Sequence, residues 1–543
     1  MKRREFVKLT STASALGLMP FQVQASLKLA NSFMNCDFSN RKLVLIELSG
    51  GNDGLNSVIP LNVYGEYQTL RPNIYIPPSL YLPMSNLDSS LIGTNQDIAL
   101  HPALAGFQTL YDQDQLRIIQ SVGYPMQNKS HFASKDIYAT GNDGNNWSNG
   151  YDSGWMGRFM EQHYEQFIPT TFPLGIQIGA PNLNLGFHGV VEHGLAINIS
   201  GQDAENFYSV LSGLAGEAPN NIPNSDYGTE LQYIIDTDAL SNQYSESISS
   251  AFNAGTNLAS YPDSNLSDQL KTVARLIRGN MQSKVYLVTL GGFDTHNEQN
   301  QASGDILGKH HELLTELSEA VTAFMQDLNA DGIGEDVVGL TFSEFGRKAK
   351  ENGSLGTDHG EVAPMFVFGR AVRSGISGVN VDLSEASENN NFQVETVQHD
   401  YRATFATLFQ DFLGATDTEI DNTFLENSTQ NSFTDSKISE LIKDNYKVEP
   451  SCYNESLGVN TSTQGEWTVF PNPFTEEINV MSDKPKLKTD YELRNQLGQL
   501  VLNGTLNFVN AKSQIITEQL SSGLYILTLK NTLETSIHKV VKP

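Results

Sequence analysis

Positive charge is scarce in this 543-residue chain: 34 Lys and Arg stand against 62 Asp and Glu, a formal charge of −28. Nucleic acid is bound by concentrated Lys and Arg, so it is excluded as the main partner. A polybasic membrane patch is excluded for the same reason. Apolar runs are short too. None reaches the roughly eighteen residues of a spanning helix, so no transmembrane segment is expected. Cysteine is nearly missing. Cys36 and Cys452 flank the main body and fit no metal-ligand spacing; they either pair in an oxidising compartment or stay free. Histidine is nearly missing from the C-terminal part: ten of the eleven fall between His101 and His399, leaving His538. Metal chemistry therefore belongs to the body.

What is present is a globular composition, 39% hydrophobic and 9% aromatic, with length for two or three domains. Residues 1–25 read as an export signal. Lys2, Arg3 and Arg4 form a cationic head, a weakly apolar stretch follows, and Val23-Gln24-Ala25 resembles a cleavage site. Arg3-Arg4-Glu5-Phe6-Val7-Lys8 looks like a twin-arginine address, with an ordinary Sec signal as the alternative. The expected partners at this end are therefore the twin-arginine or Sec export machinery.

From about residue 40 to 448 short apolar runs end in Gly-rich polar turns: Leu43–Leu48, Leu116–Val122, Lys284–Leu290, Val337–Phe342 and Met365–Gly369. That grammar is of buried parallel strands. Amphipathic helical patterns, Ile306–Leu328 and Tyr401–Leu413, lie between them. The expectation is an α/β fold with a mostly parallel sheet covered on both faces and its chemistry beyond the carboxyl ends of the strands. Residues 215–265, rich in Asn, Ser and Asp, look like an excursion or cap over that edge. Residues 449–466 read as a linker. From Trp467 to Pro543 seven short alternating segments imply a small all-β sandwich.

The strand-end loops carry the chemistry. They offer Asn52 and Asp53, then Asp294 and His296, then Glu344 and Arg347, then Asp358 and His359. Mixtures of Asp and His suit zinc, manganese or similar divalent ions, and carboxylates alone suit harder ones. Asp358 and His359 would face opposite ways in a strand, whereas flanking Gly356 and Gly360 permit a turn that brings both to one ion. Ser130 stands where a helix begins: it is either an N-cap or a nucleophile favoured by the helix terminus and a nearby dication. His131 either meets substrate or packs. Arg347 either neutralises a transferred group or caps a helix on the surface. Asp327-Leu-Asn-Ala-Asp-Gly332 starts like a calcium loop, but Val338 stands where its Glu should, so it is read as a helix-to-strand turn.

Seven ordered motifs, Leu48–Asn56, His101-Pro-Ala-Leu-Ala, Ser130-His-Phe, Gly154–Arg158, Gly291–His296, Ser343–Arg347 and Gly356–Gly360, together resemble the DUF1501 family of the alkaline phosphatase/sulfatase-like superfamily. The resemblance covers roughly residues 40–415. It implies an alkaline-phosphatase-like α/β/α sandwich with a two-metal hydrolytic site. Asp53 would ligate one metal and Ser130 would attack. Asp294 and His296 would serve the other metal, Asp358 and His359 would complete the pair, and His399 (or Asp400) would be the last ligand. The ions would be zinc, with manganese, magnesium or calcium as alternatives. The substrate would be a small-molecule or glycan ester. Phosphate is preferred to sulfate, because no Cys or Ser sits in a Cys/Ser-x-Pro-x-Arg context. A surface binding or adhesion protein that keeps the fold is the alternative function. Trp467–Phe474, Tyr491–Gln499, Leu520–Leu527 and the terminal His538–Pro543 resemble the type A sorting domain of type IX secretion. That implies export across an outer membrane, with secretion or attachment to the outer cell surface.

Overall fold

The computed structural model describes residues 39–449 and 467–542, apart from the stretch 200–243 and short stretches at 85–87, 146, 148–150, 169–170, 181–182, 191–195, 426–432, 471–473, 483–487, 496–498, 509–511, 522 and 532–534. The export signal 1–25, both cysteines and nearly all of the linker lie outside the described residues. The chain divides into two compact units, Met1–Glu449 and Pro450–Pro543. Among the described residues no helix is long and apolar enough to cross a membrane.

In the first unit the apolar runs form one sheet. Its strands here are β1 (Lys42–Ser49), β2 (Leu116–Gly123), β3 (Gly175–Ile178), β4 (Ala196–Ile199), β5 (Val285–Gly291) and β6 (Val337–Phe342). A hairpin of β7 (Arg347–Glu351) and β8 (Thr357–His359) follows, and then β9 (Ala363–Phe368), β10 (Gly375–Ser377) and β11 (His399–Asp400). Successive side chains of a strand point to opposite faces, and each face here has its own core. Val44, Ile46, Tyr286, Val288 and Phe366 join one apolar cluster. Leu43, Leu45, Leu287, Leu340 and Val367 join the other. Burial on both faces is why these runs are continuous rather than alternating.

The helices α1 (Ala105–Asp112), α4 (Asn265–Arg278) and α5 (Lys309–Asn329) cover the first face. The helices α3 (Trp155–His163) and α6 (Tyr401–Thr407) cover the second, and α2 (His131–Thr140) adds Ile137 and Tyr138 to that layer. Ile248, Ala251 and Phe252, on a helix spanning 244–254, enter the first layer beside α4. That end of the expected cap is therefore core, because its apolar side chains have a helix to pack against; the rest of it lies outside the described residues. The calcium-like run is the turn after α5, and Asp327 is tied to Arg278 at 2.8 Å.

Strand order is β10-β2-β9-β6-β1-β5-β3-β4, with β11 also on β2. All pairings are parallel except those of β9, which runs against both β6 and β2. No helix separates β6 from β9; a hairpin turns the chain back, and short connections give antiparallel neighbours. The carboxyl ends of β1, β2, β5 and β6 consequently share one edge with the hairpin.

The second unit is all antiparallel. One sheet has β12 (Trp467–Phe470), β13 (Glu477–Ser482) and β16 (Lys512–Ile516). The other has β14 (Thr489–Asn495), β15 (Leu500–Leu506), β17 (Gly523–Lys530) and β18 (Thr535–Lys542). Alternate residues, among them Trp467, Ile478, Val480, Leu493 and Leu527, meet in one core.

Candidate metal centre

Close backbone approach builds the site. Gly50, just past β1, has φ +125°, and a Cβ there would lie 2.3 Å from the backbone N of Asp294. Only glycine lets the two loops touch this way. Arg347, at the start of β7, is buried and clamps them. Its Nε donates to Gly51 O at 2.7 Å, Nη1 to Thr357 O at 3.0 Å, and Nη2 to Gly50 O, to Phe293 O and, at 2.8 Å, to Asp294 Oδ1. Its side chain is fully buried. The expected role of neutralising a transferred group is corrected: Arg347 holds the loops and Asp294.

Asp294 is the hub of the cluster, with a side chain 45% exposed. The Nε2 atoms of three imidazoles surround its carboxylate: His359 at 3.2 Å, His296 at 3.3 Å and His131 at 3.5 Å. Each ring has its other nitrogen committed. His359 Nδ1 donates to the carbonyl of Lys129 at 2.8 Å. His131 Nδ1 donates to Glu344 Oε1 at 3.0 Å. His296 Nδ1 donates to Asp358 Oδ1 at 3.2 Å. These partners are acceptors, so Nδ1 carries the proton and Nε2 keeps a lone pair. His296 Nε2 and His359 Nε2 then stand 2.9 Å apart, lone pair to lone pair. Such a contact needs a proton or a cation between the rings. Three imidazole nitrogens and a carboxylate, each imidazole oriented by an oxygen acceptor, are the donors a zinc-type ion takes. Atoms of His131, Asp294 and His359 all lie within 4.8 Å of one another.

Charges act on that set in different directions. Burial pushes the Asp294 carboxyl up, but Arg347, His359 and His296 outweigh it and hold it at about 2. The Glu344 hydrogen bond raises the His131 pKa, while burial lowers that of His359. A second proton on His359 is thus disfavoured.

Asp358 and His359 lie on β8, not in a tight turn, and still reach one place. His296 lies between them, with Nδ1 to Asp358 and Nε2 to His359. Lys348 Nζ pairs with the far oxygen of Asp358 at 3.2 Å. Ser130 precedes α2 and is exposed. Its hydroxyl makes no cap hydrogen bond, so capping does not account for it. The residues on either side are pinned to the cluster: Lys129 through its carbonyl, His131 through its ring. Tyr124 fixes the same loop, its hydroxyl accepting from Asn128 N at 3.0 Å.

Two expected ligands are elsewhere. Asp53 is fully buried and pairs with Arg71 Nη1 at 2.6 Å, and Gln299 Nε2 donates to the same oxygen at 2.5 Å. A guanidinium occupies the place a cation would take. His399 pairs with Val122 of β2, and its Nε2 is buried without a hydrogen-bond partner. Asp400 is neither: it caps α6 and pairs with Arg402 at 2.7 Å. Sequence reasoning gave no role to Glu344 or to the Lys129 carbonyl. Glu344 had a signal, since it stands in the loop just after the buried strand β6; a backbone carbonyl has none.

Known proteins resemble this chain at two levels. Residues 255–416 match the family model described as "Protein of unknown function (DUF1501)". Residues 468–543 match the model described as "Secretion system C-terminal sorting domain", which indicates export. No curated protein matches. Among solved structures the chain is similar to an alkaline phosphatase superfamily protein from Vibrio parahaemolyticus, at 8% identity and TM-score 0.30, over 88% of this chain and 81% of that one. It is also similar to the PsFucS1 sulfatase from Pseudoalteromonas sp., at 10% identity and TM-score 0.29, over 93% and 91%. A third is the alkaline phosphatase from the Antarctic bacterium TAB5, at 10% identity and TM-score 0.25, over 62% and 94%. At these values nothing about site chemistry follows from them.

Proposed function

We propose that this protein is an exported hydrolase that cleaves phosphate or sulfate esters with one divalent cation, zinc being the ion its donors suit best. Nε2 of His131, His296 and His359 and the carboxylate of Asp294 would hold the ion. The 2.9 Å contact between two Nε2 lone pairs is the observation that carries the reading. When bound, such an ion stabilises charge on the anionic group being transferred.

The chain's own residues do the rest. Glu344, the Lys129 carbonyl and Asp358 keep the Nδ1 protons in place, so the rings cannot rotate away. Arg347 fixes Asp294. Ser130 Oγ is the nucleophile: its bond to phosphorus or sulfur forms as the ester bond breaks. The Ser130 hydroxyl proton passes to the departing alcohol, and water then cleaves the Ser130 ester, releasing phosphate or sulfate and restoring the hydroxyl. The cluster supports one ion rather than two, since Asp53 and His399 have no part in it. Removal of the sorting domain and attachment to the outer surface belong to the same reading.

A surface binding protein that retains the fold is favoured by one observation, the full burial of the Arg347 side chain. Metal analysis of the full chain tests the first reading. About one ion per chain is expected, kept by His399→Ala and lost in Asp294→Ala. Absence of metal, or its retention in Asp294→Ala, overturns the centre. Aryl phosphate and aryl sulfate should be turned over, and Ser130→Ala should remove most of that rate. Bound metal without turnover favours the binding protein.

A further inference from the structure

With Arg347 spent inside the fold, another group must meet the anion and its organic part, and one face of α2 supplies both. His131 and Lys135 are four residues apart on the helix, and Phe132 and Lys135 are three apart, so the three side chains form one contiguous patch. His131 belongs to the metal centre. Lys135 has a side chain 43% exposed, and its Nζ bonds Ser49 Oγ at 2.6 Å and Glu47 at 3.2 Å, two partners for three donors. Phe132 is 85% exposed, although a large apolar ring gains by leaving water. Further along the helix Lys135, Tyr138 and Ala139 line a small cleft together with Glu344, the partner of His131. A cation and an exposed ring therefore share one helix with a metal-centre histidine, and the cation borders that cleft.

We propose that this patch is the substrate-recognition surface of the centre: Lys135 pairs with the anion, and Phe132 packs on an apolar ring face carried by the organic part of the ester. The preferred substrates are then anionic esters of ring-bearing groups, whether aryl or sugar, and not of short alkyl alcohols. The inference rests on the reading of the centre as a binding site for anionic esters.

Calorimetry on the full chain loaded with zinc tests it through binding, without need of turnover. The probes are methylphosphonate, phenylphosphonate and glucose 6-phosphate. Phenylphosphonate should bind about tenfold tighter than methylphosphonate. Phe132→Ala should erase that margin and leave methylphosphonate unchanged. Lys135→Gln should weaken both phosphonates alike. A glucose 6-phosphate affinity that also falls in Phe132→Ala identifies the sugar as the ring source; one that does not identifies the aryl group. The proposal is overturned if wild type shows no preference or if Phe132→Ala keeps it. It is also overturned if Phe132→Ala lowers thermal stability with binding intact, for then another part of the chain covers the ring. If the phosphonates bind with the expected margin but aryl phosphate and aryl sulfate are not hydrolysed, the hydrolase reading fails and the recognition surface stands. If neither phosphonate binds, both fail.

Discussion

Two aspartates follow two neighbouring strands at the same edge of the sheet and meet opposite fates. Asp53, after β1, is buried and neutralised by Arg71. Asp294, after β5, is half exposed and ringed by three imidazoles. Both carboxyls are held below their ordinary value, so a depressed pKa does not separate a structural carboxylate from a metal site. The surroundings do. Around Asp53 every strong partner is a donor with its proton in place. Around Asp294 one guanidinium donates from Arg347, and three imidazole Nε2 atoms converge on the carboxylate. Asp53 Oδ2 is matched by two donors while its Oδ1 has no hydrogen-bond partner; the Asp294 cluster offers donor atoms suited to an ion.

The sharpest way to break this contrast is to remove the internal cation. Arg71→Met leaves Asp53 charged, buried and unpaired, and should cost about 3–5 kcal/mol in urea unfolding. Asp294→Ala in the metal-free chain should cost clearly less in the same assay, because that side chain is nearly half open to water and Arg347 keeps its backbone acceptors. Equal costs would erase the distinction between a structural and a functional aspartate.

A smaller effect probes the lone pairs themselves. Glu344→Gln keeps the shape but loses the carboxylate that orients His131. Zinc affinity by competition with a chelator should drop roughly 10–100-fold, with folding stability nearly kept. His399→Ala should leave that affinity unchanged. If Glu344→Gln binds zinc as wild type does, His131 is not a ligand.

Much of this was legible in the residues. The five apolar runs are all strands, because continuous burial leaves a continuous apolar signature. The seven alternating segments of the C-terminal unit are seven strands for the complementary reason. Other elements left no mark. The strands Gly175–Ile178 and Ala196–Ile199 are short, and the reversal of β9 is a matter of connection, not composition. At the site, Asp294, His296, Asp358 and His359 were visible because Gly-rich loops after strands are few. Their division from Asp53 was not visible. It depends on Arg71, which arrives from a helix end with no local pattern to announce its partner. Arg347 misled for the same reason, since a buried arginine that serves backbone carbonyls reads like an exposed one.

The mildest test concerns acid. Burial alone would push the Asp53 carboxyl up; the charge and hydrogen bond of Arg71, with His310 and Gln299, reverse that and leave it below its ordinary value of 3.8. A carboxyl depressed on folding contributes stability that is fully present above its unfolded value and is lost as pH falls through the folded one. Wild type should therefore lose stability as pH drops below about 4. The double variant Asp53→Asn/Arg71→Met removes both charges together and should fold with similar stability near neutral pH. Its curve should be flatter on the acid side, read as urea midpoints across that range. Asp294→Ala should keep most of the wild-type slope, because a side chain nearly half in water transmits little of its pKa shift to folding. A double variant as acid-sensitive as wild type would move the source of that slope away from Asp53 and dissolve the difference between the two aspartates.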